Sequence, residues 1–265
     1  MISSTGNKQV KLINALIKKS KTRREEGLFV AEGARLYAEI PEAMIHSVYV
    51  SESYRKEAPD FLSAGGTEVT VVTDDVFKAM SDTRSPQGIL ALVRQQEYTL
   101  DEVIRARDRP VQLLIMERIQ DPGNLGTMIR TAEGAGVTGI IMDDDSADIY
   151  NPKVIRSTMG SVFRMPFLYV GNLPETLSMV KQAGICLYAA HLKGRNNYER
   201  EDYTGNIGFL IGNEASGLSD EIAGLADIWI KIPIAGQVES LNAAVAASVL
   251  MFEAARQRRS FCDIL

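Results

Sequence analysis

The chain has 265 residues, 45% apolar and 24% charged, the balance of a globular protein of one large or two ordinary domains. No run approaches 18 apolar residues and the N-terminal MISSTGNKQVKL lacks the apolar core of a signal peptide, so neither a membrane span nor a leader is expected. The net charge of −5 is unevenly spread: residues 1–24 hold seven basic side chains and no acidic one, which leaves −12 on the remainder.

In chain order, the basic segment comes first, with Lys8, Lys11, Lys18, Lys19, Lys21, Arg23 and Arg24. It suits either a contact to a phosphate backbone or a solvated helix face. Within it Val10, Ile13, Leu16 and Ile17 repeat at helical spacing. Short strands are expected at 28–31, 47–50, 69–73 and 89–93, punctuated by turns at Gly65-Gly66 and at the SPQG of 85–88. Residues 1–94 therefore read as a small α/β domain. Residues 95–110 are polar, end in Pro110, include a short helix at 100–106 and read as a linker.

From 111 to 260 the alternation restarts with more apolar strands, at 111–116, 139–142, 167–170, 185–190, 207–211 and 228–232. Near-continuous apolar strands alternating with helices predict a parallel sheet covered on both faces. A long Ala-rich helix over 241–258 closes the chain. Two cysteines (Cys186, Cys262) and two histidines (His46, His191) are isolated, which suits a reduced cytoplasmic protein with no metal site. Both histidines read as surface or core residues rather than catalysts.

Three glycine-bearing turns follow apolar strands. The first, DPGNLGTMIRTAEGAGV (121–137), breaks at Pro122-Gly123 and enters a helix near Asn124 to Gly126, with Asn124 expected as its cap and Arg130 on a face away from the apolar stripe. The second, FLIGNEASGLS (209–219), sets Gly212 directly after a strand and Glu214 in the turn. Without G-x-G-x-x-G and with an acid in the loop, a pyrophosphate cradle is excluded; a nucleotide-dependent dehydrogenase is disfavoured by that and by the lack of an acidic ribose-binding residue at the expected offset. The third, IKIPIAGQVESLNAAVAASVLMFEAARQR (230–258), carries Gly236, Ser240 as a routine N-cap, and Asn242. Each turn has a plain structural explanation. Together they gather Asn, Arg, Glu, Ser and Asn at the strand C-terminal ends of one sheet, where open α/β sheets build their sites.

These segments resemble, in order and spacing, the three motifs of the SpoU/TrmH-type RNA 2′-O-ribose methyltransferases of the SPOUT superfamily. YNPKVIRSTMGSVFRMPF (150–167) is similar to the stretch between motifs 1 and 2, and LFVAEGARLYAEI (28–40) to the substrate-binding domain that precedes many members. The resemblance implies a SPOUT-type parallel sheet with a C-terminal trefoil knot, a homodimer, and S-adenosylmethionine bound in the knot. Topology rules alone point away from a knot.

By the same resemblance Ile211, Gly212, Ile232, Gly236 and Leu241 would lie against the cofactor. Asn124, Arg130, Glu214, Ser240 and Asn242 fall on the family's polar positions. The family mechanism often casts the arginine as general base. A guanidinium stays protonated in proteins, so a grip on the substrate phosphate and on the developing alkoxide is the better physical reading of Arg130. The implied activity is methylation of a ribose 2′-hydroxyl in RNA, ribosomal RNA being the expected target. Lys8, Lys11, Lys18, Lys19, Arg23 and Arg24 are the expected RNA contacts. A transfer-RNA enzyme and a non-catalytic RNA-binding relative are the alternatives.

Overall fold

The protein is described by a computed structural model covering residues 1–58, 69–105 and 108–262. The Gly65-Gly66 turn, the end of the helix expected at 100–106 and the side chain of Cys262 lie outside the described residues. The chain forms two compact units, Met1–Gln96 with Asp148–Phe163, and Glu97–Ala147 with Arg164–Leu265.

The first unit opens with helices α1 (Lys8–Lys18) and α2 (Ser20–Glu26), where a single helical stripe was expected. Asn7 caps α1 by accepting from Gln9 N at 2.8 Å, and Gly27, in the left-handed region (φ 62°), ends α2. Val10, Ile13 and Leu16 are fully buried. They pack against a four-stranded sheet ordered β1-β4-β2-β3, made of β1 (Leu28–Glu32), β2 (Ile45–Ser51), β3 (Val69–Val72) and β4 (Ile89–Arg94). Short helices α3 (Ala34–Ala38), α4 (Glu52–Glu57) and α5 (Asp74–Met80) connect the strands. All four strands lie where the apolar runs predict them.

The second unit begins with α6 (Leu100–Ile104) and continues through β5 (Gln112–Met116), α7 (Pro122–Gly134) and β6 (Gly139–Asp143). Val103 of α6 is fully buried in the core of this unit, so the polar stretch that reads as linker contributes a wall of the sheet. The chain then leaves for Asp148–Phe163, containing α8 (Pro152–Thr158), which packs in the first unit. Tyr150 and Phe163 stack on Phe29, with ring centroids 4.5 and 6.3 Å away. The chain returns as β7 (Phe167–Val170), α9 (Leu173–Gln182), β8 (Cys186–Ala190), β9 (Asn196–Asn197), β10 (Ile207–Ile211), α10 (Asp220–Leu225), β11 (Ile228–Lys231) and α11 (Ala243–Cys262).

These strands form one sheet, ordered β7-β6-β5-β10-β8-β11-β9, with every pair parallel. The central β5 and β10 are buried along their whole length, as a sheet covered on both faces requires. Near the end of α11 Arg258 donates to four carbonyls, those of Tyr203, Pro110, Val111 and Gly205, at 2.7 to 3.1 Å. Burial, helped by nearby Arg109, lowers its pKa to about 10. That arginine staples the helix to the sheet.

Candidate active site

Strand order reverses direction between β5 and β10: from β5 the chain moves outward to β6 and β7, then crosses back to fill β8, β10 and β11 on the other side. Such a switch point opens a crevice at the strand C-terminal ends. The loops there are 117–121 after β5, 191–195 after β8, 212–219 after β10 and 232–242 after β11.

Glu117 and Asn213 fasten the first of these loops to the third. Glu117 Oε2 accepts from Ser219 N at 2.7 Å, and Asn213 Nδ2 donates to Arg118 O at 2.7 Å. Asp121 then caps α7 by accepting from Asn124 N at 2.8 Å, with Pro122 in the first turn. The expected cap is thus corrected: Asn124 sits inside the first turn, and its side chain is released for other work. Its Nδ2 donates to Glu214 Oε1 at 3.0 Å, and its Oδ1 accepts from Asn242 Nδ2 at 3.0 Å. Because the carboxylate only accepts, this pair of bonds fixes which way the Asn124 amide faces.

Asn242 in turn caps α11, accepting from Ala244 N at 2.9 Å and Val245 N at 3.2 Å. Asn242 therefore takes the capping role expected of Ser240, which is exposed and makes no hydrogen bond among the described residues. The line Glu214–Asn124–Asn242 joins all three predicted turns. Glu214 also accepts from the amides of Gln120 and Asp121 at 3.2 and 3.0 Å. Burial alone raises its pKa, but the hydrogen bonds from Asn124 and from the amides of Asp121, Glu214 and Gln120 outweigh this and hold the carboxyl below its ordinary range. With its oxygens engaged this way, Glu214 holds the loops in register.

A cavity of about 430 Å³ opens beside this line, within the range of about 300–1,000 Å³ usual for small-molecule sites. Ile211, Gly212, Ile232 and Leu241, four of the residues expected against the cofactor, line it together with Glu214 and Ser240. Two corrections concern the glycines. A Cβ on Gly212 would stand 2.0 Å from Leu218 N and 2.1 Å from Gly217 C, so the residue is glycine because its own loop folds back onto it. Gly236 is off the cavity wall, and a Cβ there would meet nothing within 4 Å. His191 and Lys193, after β8, also line the cavity. An isolated histidine carries no sequence signal of such a place.

Arg130 is exposed on α7 and makes no hydrogen bond or ion pair among the described residues. Its guanidinium is free for a ligand, and it is not among the groups bonded to Glu214. No cluster of three metal-ligating side chains occurs among the described residues, and no helix there is long and apolar enough to cross a membrane.

Of the expected RNA contacts, Lys8, Lys11, Lys18, Lys19 and Arg24 are exposed on or beside α1 and α2. Arg23 is a correction. It is 3% exposed, donates to Leu16 O and Ile17 O, and pairs with Asp148 through Nε at 2.8 Å and Nη2 at 2.6 Å. Helical periodicity turns it inward while its neighbours face out.

Residues 112–252 match the SpoU rRNA Methylase family, and residues 7–91 match the MRM3-like substrate binding domain. The 23S rRNA (guanosine(2553)-2′-O)-methyltransferase RlmP of Bacillus subtilis is 32% identical over 253 residues, covering 95% of this chain and 97% of its own. Among solved structures, the SpoU methyltransferase AviRb from Streptomyces viridochromogenes in complex with AdoMet superposes with a TM-score of 0.85 at 30% identity, covering 96% of this chain and 100% of that one. The AdoMet-bound rRNA methyltransferase from Sinorhizobium meliloti gives 0.84 at 32% identity, with coverage of 96% and 97%.

Proposed function

The chain belongs to the SpoU rRNA methylase family, and on that premise we propose how its residues carry out S-adenosylmethionine-dependent methylation of a ribose 2′-hydroxyl in RNA. The observation that carries the reading is the Glu214–Asn124–Asn242 line, which binds three turns into one wall beside a cavity of suitable size. Ile211, Ile232 and Leu241 offer apolar contact to S-adenosylmethionine in that cavity, and the backbone around Gly212 offers polar contact. When bound, S-adenosylmethionine supplies an electrophilic methyl group. The residues of this chain must align the ribose oxygen with it and ease the loss of the hydroxyl proton.

Arg130 takes the substrate side. Its unpaired guanidinium grips the phosphate beside the target ribose and stabilises the oxygen as negative charge develops there. Asn124, Glu214 and Asn242 position the turns, and Ser240 faces the cavity with a free hydroxyl. The trefoil knot implied by the fold would enclose the same site. We place the protein in the cytoplasm, acting on ribosomal rather than transfer RNA, since RlmP acts on 23S rRNA and matches nearly the whole chain. A homodimer is supported by Val245 and Phe252, half-exposed apolar side chains seven residues apart on α11.

Arg130→Ala tests the assignment. Methyl transfer to RNA is expected to fall at least a hundredfold, on the order of a single donor's stabilisation of the transition state, while calorimetric binding of S-adenosylmethionine stays near wild type. Equal loss of cofactor binding would put Arg130 on the wrong side of the site.

A further inference from the structure

The turn after β8 is built around His191. Gly194 N–H closes it by donating to His191 O at 2.8 Å, and Lys193 N–H donates to His191 Nδ1 at 3.0 Å. With Nδ1 accepting, Nε2 is the ring position left to donate. One side of the imidazole lies against the Trp229 indole, with ring centroids 4.5 Å apart. The indole is itself anchored by Nε1–H to Ala223 O at 2.7 Å. Behind the turn, a Cβ on Gly194 would stand 2.6 Å from Ile230 C, so this backbone is pressed onto β11.

The ring is thereby fixed in place on the wall of the cavity that also carries Ile232 and Leu241. A histidine kept only for packing is ordinarily bonded at both nitrogens. Here Nε2 has no protein partner among the described residues.

We propose that His191 is a cofactor-contact residue whose Nε2–H donates to a hydrogen-bond acceptor of S-adenosylmethionine. This rests on the methyltransferase reading of the cavity. The charged groups on the cavity wall are Lys193 in the same turn, Lys231 on β11, and Glu214 and Asp220 beyond β10.

Calorimetric titration of S-adenosylmethionine into the whole protein tests this with two variants. In His191→Asn, the amide oxygen still accepts from Lys193 N–H but nothing reaches the Nε2 position. His191→Ala loses both. The expected result is a Kd raised roughly fivefold in His191→Asn, the size of one net hydrogen bond, with an unchanged melting temperature. Wild-type-like binding in His191→Asn overturns the proposal. So does weak binding by His191→Ala alone, which would make the ring a mere support of the turn. Wild-type protein that binds no S-adenosylmethionine at all would overturn the methyltransferase reading itself, an outcome distinct from a selective loss in the variants.

Discussion

Gly212 and Gly236 look alike in the sequence, each following a strand that ends at the site, yet the backbone treats them oppositely. The 213–218 loop folds back so that Leu218 N stands 2.0 Å from where a Cβ on Gly212 would be. Gly212→Ala should therefore lower stability by about 3 kcal/mol or more, whereas Gly236→Ala, meeting open space, should stay within about 0.5 kcal/mol of wild type. Thermal denaturation of the two variants side by side checks both. Asn124 shows why residue roles were only partly legible. An Asn at a helix entry is by preference a cap, and it takes the three-dimensional structure to see that Asp121 has that role and leaves Asn124 to bridge Glu214 and Asn242. That line runs between residues as far apart as 124 and 242, and no local pattern encodes it.

Among elements, strands were the most legible, because buried parallel strands are written as short apolar runs. Both β7 and β10 have the bounds that the runs 167–170 and 207–211 give. Helix ends and allegiances were harder. The basic segment splits into α1 and α2 at Lys19, and α8 joins the first unit although its sequence lies among the methyltransferase motifs. What draws that segment there is a long-range pair: Arg23, with a side chain 4% exposed, bonds Asp148 across 125 positions of sequence. Asp148→Ala leaves a buried guanidinium without its counter-charge. It should destabilise the first unit by about 3 kcal/mol, read as a shifted denaturant midpoint. Asp148→Ala as stable as wild type would mean that the pair contributes nothing.

For the whole molecule, the uneven charge has a testable consequence. Deleting the basic segment would remove Val10, Ile13 and Leu16 from the core and unfold the unit that is meant to be probed. Changing Lys8, Lys11, Lys18, Lys19 and Arg24 to Gln leaves that core intact and removes only exposed charge. If the segment follows an RNA backbone, affinity falls and the salt dependence of log Kd flattens by about 0.7 for each single-strand phosphate that the variant no longer neutralises. An unchanged slope would leave these side chains as solvated surface. A parallel sheet with polar residues gathered at its strand C-terminal ends followed from the alternation of strand and helix, whereas the strand order and the crevice between β5 and β10 are seen only in the structure. A knot does not follow from such periodicity, since it depends on which loop the chain passes through, and hydrophobic pattern carries no record of that.

The excursion from β6 to β7 means that the backbone passes between the two units three times, after residues 96, 147 and 163. A cut at any one of these passages leaves the other two intact, so a nicked protein keeps both halves tethered. The first unit cannot be lost by trimming the N-terminus alone. Without residues 1–96, Tyr150 and Phe163 would keep their place in the chain but be deprived of the Phe29 ring on which they stack, and Asp148 would be without Arg23. A chain shortened to the second unit would thus carry residues 148–163 without the partners that hold them here.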